Sequence, residues 1–241
     1  RPGAGMRAGI RYLTRKTGPL TIGPLEAVAF LDSGWPGAEL RSDRNAPKSD
    51  AGDNPTLDRA PDLQLQFAPL HGGPGYGYDM YDPKTYPVDD GFTILPSLLH
   101  PRSRGSVGLR SNRIADPPRI DPDALRDPRD LDTLVRGARI ARRLIEQSAL
   151  ADLILDAHTP SSYGQEELEQ HIRQSVETIY HPVGTCRMGT GGDAVVDDRL
   201  RVNGIRGLRV ADASIMPEIV SGNTNAPVIA IAEQASDFIL E

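Results

Sequence analysis

Two short stretches near the end of the chain carry the residue types best suited to chemistry. The first, Tyr180-His181-Pro182-Val183-Gly184-Thr185-Cys186-Arg187-Met188-Gly189, presents a histidine among turn-forming neighbours. An imidazole titrates near neutral pH, which suits a general base. Pro182 fixes the backbone, and Gly184 and Gly189 permit a tight path in which the ring faces a cavity. The second, Ser221-Gly222-Asn223-Thr224-Asn225-Ala226-Pro227, places Asn223 in a loop directly ahead of a helix. Alone, a histidine is more often structural and such an asparagine more often a turn or cap. Together they read as a base and a hydrogen-bond donor converging on one substrate oxygen. Asn225 and the free N–H groups at the head of the helix make an electropositive end, suited to developing negative charge.

The elements that must position these residues are legible from pattern. Residues 207–212 (Gly-Leu-Arg-Val-Ala-Asp) read as an apolar strand ending in an acid. Residues 227–240 read as a helix, with Asn225 as N-cap candidate and Ile229, Ala232, Ala235 and Ile239 along one face. Strand, glycine-containing loop and helix in that order belong to a doubly wound dinucleotide-binding sheet. Residues 179–241 are therefore expected to be a segment of a different domain from residues 27–178, with residues 1–26 as a linker or the end of a preceding region.

Within 27–178 the pattern predicts an antiparallel sheet, giving an α+β class. Ala27-Val28-Ala29-Phe30-Leu31 is a candidate buried strand, and Leu63-Gln64-Leu65-Gln66-Phe67 alternates as a half-buried strand does. Phe92 to Pro96 and Ser106 to Arg110 are further strands of that sheet, joined by the turn His100-Pro101-Arg102-Ser103-Arg104-Gly105. Helices are expected over 6–15, from Asp127-Pro128 through Ile145, and over 165–179. Residues 34–61 read as a polar surface excursion, and 71–87 as a glycine- and tyrosine-rich loop.

Composition bounds the function. The 241 residues are enough for one large domain or two small ones, with 38% hydrophobic and 25% charged residues and a net charge of -6. No basic face suits nucleic acid, and no apolar run approaches the roughly 20 residues of a membrane helix. The single cysteine, Cys186, forms no intrachain disulfide, and a reducing, cytoplasmic setting is expected.

The two active stretches, with Gly207-Leu208-Arg209-Val210-Ala211-Asp212-Ala213-Ser214, Pro61-Asp62-Leu63-Gln64-Leu65-Gln66-Phe67 and the His100 turn, resemble the C-terminal half of glucose-methanol-choline (GMC) oxidoreductases, of the choline oxidase and alcohol dehydrogenase branches. The resemblance implies an FAD enzyme that oxidises a small-molecule alcohol by hydride transfer to flavin N5. His181 matches the base, and Asn223 matches its partner, which is His in some branches. Asp212 and Ala213 match a strand end that touches FAD through its backbone. The resemblance also implies that Asn223, Asn225 and the helix head at Pro227 lie beside the flavin. Gln66, Phe67 and Val183 are expected at the substrate, with Tyr76 and Tyr78 as further lining candidates. Gln66 stands where the choline oxidase branch has His, which argues against choline. The family's Gly-rich strand-turn-helix has no match; Gly72-Gly73-Pro74-Gly75 sits in a loop. An N-terminal FAD-binding half, in the same or a separate polypeptide, is the expected partner. Cyanohydrin-cleaving lyase chemistry on the same scaffold and a non-catalytic role beside a partner subunit are the alternatives.

Overall fold

A computed structural model describes residues 4–18, 21, 25–34, 60–71, 82–85, 87, 89–158 and 163–241. Most of the expected 34–61 excursion, Tyr76, Tyr78 and the 72–75 glycine loop lie outside the described residues. The elements run α1 (Ala4–Arg15), β1 (Ala27–Leu31), β2 (Leu63–Ala68), β3 (Thr93–Leu98), β4 (Ser106–Gly108), β5 (Arg119–Asp121), α2 (Pro128–Ile145), α3 (Ser148–Ala151), α4 (Gln165–Ser175) and α5 (Asn225–Leu240). Antiparallel strands and helices coexist, and no helix among the described residues is long and apolar enough to cross a membrane.

The chain divides into two compact units. The first comprises residues 1–97 and 132–175. Its sheet has the order β1-β2-β3, with β1 antiparallel to β2 in a register running from Ala27↔Phe67 to Leu31↔Leu63. β2 is buried on both faces, Gln64 and Gln66 included, so it is not the half-buried strand that its alternation suggests. The reason is local: Gln66 Nε2 donates to Gln64 Oε1 at 3.1 Å, two residues apart on one strand face. A buried amide is tolerated when it is hydrogen-bonded. β1 departs the other way. It forms where expected but is exposed along nearly its whole length, with Phe30 49% accessible.

Gly137 lets α2 approach this sheet closely, since a Cβ there would lie 2.8 Å from Pro96 Cβ. Asp127 caps α2 as expected: its Oδ1 accepts from Arg129 N at 3.0 Å, with Pro128 as first helical residue. Leu131, Leu134 and Val135 are the buried face. α4 stops at Ser175 rather than at 179, where Ser175 Oγ turns back to His171 O and the β-branched Val176, Thr178 and Ile179 follow.

The second unit comprises residues 98–131 and 176–241. β4 and β5 form a separate two-stranded antiparallel ribbon, so β4 does not join the sheet of β3 as the sequence suggested. Asp130, only 3% exposed, accepts from Arg102 N, Ser103 N and Ser103 Oγ and so ties the His100 turn to the first turn of α2. The core of the unit is Val196, Leu200, Ile215 and Ala235, with Met188, Val202, Val210, Ile231 and Phe238 packed around it. The strand expected over 207–212 is reduced to a single bridge between Arg201 and Arg209. A strand exists by pairing, and the described residues offer it no longer partner. α5 begins at Asn225, with Thr224 as its N-cap, so Asn225 is not the cap. Its packed face is Ile231, Ala235 and Phe238; Ile229 and Ile239, expected on that face, are exposed at 53% and 65%.

Candidate active site

The loop that carries His181 is fastened to the core of the second unit. Cys186 N donates to Ser214 O at 3.0 Å and Met188 N to Ile215 O at 2.7 Å. Residues 213–215 form a short 3-10 turn whose N-cap is Asp212, the carboxylate accepting from Ser214 N at 2.8 Å. Ile215, at the end of that turn, is buried. His181 itself lies between two left-handed backbone positions, Tyr180 at φ 64° and Gly184 at φ 90°. Such a value is uncommon for a tyrosine and is a form of local strain.

Asn223 arrives from the other side. It precedes α5, whose Ala235 packs into the same core as Ile215. Both stretches are thus anchored on one cluster of aliphatic side chains, which fixes the distance between their tips. Asn223 Nδ2 lies 2.8 Å from His181 Nε2, and Thr224 Oγ1 lies 2.9 Å from His181 Nδ1. The ring is half-buried, Asn223 exposed and Thr224 7% exposed. One more contact holds the loop: Ser221 Oγ and His100 Nε2 are 3.0 Å apart. The structure therefore brings together an imidazole, a carboxamide and a hydroxyl. Nε2 of the ring meets the amide nitrogen of exposed Asn223, and Nδ1 meets the buried hydroxyl of Thr224.

The other expected site residues fall as follows. The Asp212 carboxylate is engaged as a cap, its carbonyl accepts from Ile215 N and that of half-buried Ala213 from Met216 N. Asn225 and Pro227 sit in the first turn of α5, which has no side-chain cap and no acidic residue. Val183 is half-buried in the His181 loop. Gln66 and Phe67 belong to the first unit; Gln66 is 4% exposed, and Phe67 packs tilted against Phe92 with ring centroids 5.2 Å apart. Cys186 is half-buried with a free thiol. The residue that sequence reasoning missed is Thr224. Its signal is a threonine just before a helix, a favoured N-cap, beside an asparagine that local pattern favours equally for that place.

The family model for GMC oxidoreductase matches residues 101–232, more than half of the chain and the whole of the His181–Asn223–Thr224 constellation. The chain belongs to the GMC oxidoreductase family. Among the relatives of this GMC chain, an alcohol dehydrogenase [acceptor] of Pseudomonas putida is 42% identical over 196 residues, covering 78% of this chain and 33% of that protein. A choline oxidase of Arthrobacter globiformis is 42% identical over 194 residues, covering 76% and 34%. In three dimensions it is similar to formate oxidase of Aspergillus oryzae, with a TM-score of 0.76 at 27% identity, over 98% of this chain and 41% of the other. The chain thus spans about a third of the length of the curated relatives it matches, 33% and 34%.

Proposed function

We propose that this GMC chain supplies the substrate-binding region and the active-site residues of an FAD-dependent enzyme that oxidises an alcohol. The observation that carries the reading is the 2.8 Å approach of Asn223 to His181 Nε2. Hydride leaves an alkoxide far more readily than a neutral alcohol, so the hydroxyl proton must have somewhere to go. His181 Nε2 takes that proton. Asn223 Nδ2 donates a hydrogen bond to the same oxygen and stabilises the negative charge as it develops. FAD, when bound, supplies the hydride acceptor.

The chemistry of the α5 N-terminus fits that cofactor. Its first turn has no acidic residue and no side-chain cap, so the backbone N–H groups of Asn225 and Ala226 are left for an electron-rich group. Asn225, Pro227, Asp212 and Ala213 are the residues we assign to the FAD side of the site, and Gln66, Phe67 and Val183 to the substrate side. We read residues 27–178 as the substrate-binding domain and 179–241 as a segment of a Rossmann-like FAD-binding domain. The remainder of that domain, an N-terminal half on the same or a separate polypeptide, is the proposed partner. Two facts support it: the relatives are about three times as long as the aligned portion, and the outer face of α5 exposes Ile229, Ile239 and Leu240.

Anaerobic mixing of the flavin-loaded protein with primary alcohols, polyols and sugars tests the reading. Bleaching of the oxidised flavin band by one of these classes is the expected result. Cleavage of a cyanohydrin with no bleaching by any alcohol would replace it with lyase chemistry.

A further inference from the structure

Thr224 stands at the N-cap of α5, where a threonine ordinarily turns its hydroxyl back onto a backbone N–H of the first helical turn. Here it makes no such bond. Its φ and ψ are -86° and -8°, helical rather than the extended values of a capping residue. The hydroxyl lies instead 2.9 Å from His181 Nδ1, and the residue is buried, 7% exposed. A helix cap has been given up for a bond to the imidazole, on the ring nitrogen opposite the one that faces Asn223.

The bond sets what the ring can do. A carboxamide nitrogen only donates, so with Asn223 Nδ2 at Nε2 that ring nitrogen must accept. The neutral ring's single proton then sits on Nδ1 and is donated to Thr224 Oγ1. We infer that Thr224 is a positioning residue, which together with Asn223 holds His181 in the Nδ1–H tautomer and keeps Nε2 unprotonated, so that it can take the hydroxyl proton when substrate displaces the Asn223 N–H. The inference rests on the proposed role of His181 as base. In the step concerned, the substrate O–H bond breaks, the proton forms a bond to Nε2, and the resulting imidazolium keeps its Nδ1–H on the Thr224 oxygen. Removing that acceptor leaves the proton free to move to Nε2, where it blocks the base.

Two variants and one spectroscopic measurement test this on the flavin-loaded protein with ¹⁵N-labelled histidine. Wild type is expected to show His181 with a protonated Nδ1 and an unprotonated, pyridine-like Nε2. Thr224→Val, which keeps shape and loses the acceptor, is expected to show a mixture of tautomers. It should reduce its flavin with substrate about tenfold more slowly, the equivalent of one neutral hydrogen bond, with little change in half-saturating substrate. Thr224→Ser keeps the oxygen and is expected to restore both the single tautomer and the rate. A wild-type ring protonated on Nε2, or a Thr224→Val protein with an unchanged tautomer and rate, overturns the proposal. Equal damage from Ser and Val also overturns it, since that pattern belongs to packing alone. If no alcohol reduces the flavin in any variant, the functional reading fails, while the tautomer measurement still decides what Thr224 does to the ring.

Discussion

Asn223→Ala is expected to lower the rate of flavin reduction by substrate about tenfold to a hundredfold. The magnitude follows from geometry. The amide nitrogen lies 2.8 Å from Nε2, close enough for one substrate oxygen to hydrogen-bond to both the ring and Asn223. Removing one such donor from a water-excluded oxyanion site costs about a hundred- to a thousandfold. Asn223 is exposed, so water can take the place of the lost amide, and the effect belongs toward or below the lower end of that range. Ten- to a hundredfold corresponds to about 1.4–2.7 kcal/mol at the transition state. Asn223→Asp should do more harm than Ala, because a carboxylate accepts where the alkoxide needs a donor and adds like charge beside it. Anaerobic stopped-flow bleaching, run over a range of alcohol concentrations, separates the bleaching rate from substrate affinity. The loss should appear in the rate. A rate for Asn223→Ala within twofold of wild type would refute the idea that the amide and the ring act on one oxygen.

Three further predictions concern the frame that holds the site. Asp130→Ala strips three donors of a buried acceptor and should destabilise the second unit by about 3 kcal/mol, read from denaturant midpoints; an unchanged midpoint contradicts it. Gly184→Ala should cost about 1–2 kcal/mol, because φ 90° is strained for any L residue while the added Cβ meets Met216 O only at an ordinary 3.5 Å. A thermal midpoint equal to wild type would show that the turn does not need glycine. The Asp127 carboxyl is held down at about 2, chiefly by the hydrogen bond from the Arg129 side chain. A folded value below the unfolded one, about 3.9, gives stability that is present above pH 4 and is lost as pH falls towards 2. Asp127→Asn should therefore flatten the stability-against-pH curve in that window; a curve with the wild-type slope would contradict it.

The meeting of His181 with Asn223 was more legible in the sequence than the fold around it. His181 and Asn223 stood out because each sits beside glycine and proline in a short stretch of turn-forming residues. Thr224 did not, because the contact that gives it meaning spans 43 residues. Local pattern reads a threonine before a helix as a cap, and only coordinates reveal that its hydroxyl has gone elsewhere. β2 differs from its pattern for a similar reason. Alternating Leu and Gln normally mark one wet face, and the bond between Gln64 and Gln66 that permits burial of both amides is invisible to periodicity. The 207–212 segment has strand composition, but pairing decides strands, and here only Arg209 finds a partner in Arg201. α5 is apolar nearly all round, so its sequence does not say which face meets the core. Burial assigns Ile231, Ala235 and Phe238 to it and leaves Ile229 and Ile239 outside.

The account stands most directly on His181. In the flavin-loaded protein, His181→Ala should lower the rate of flavin reduction by its alcohol by about a hundred- to ten-thousandfold, the usual contribution of a general base, while flavin content stays near that of wild type. Reduction at the wild-type rate in a fully flavin-loaded His181→Ala protein would contradict it.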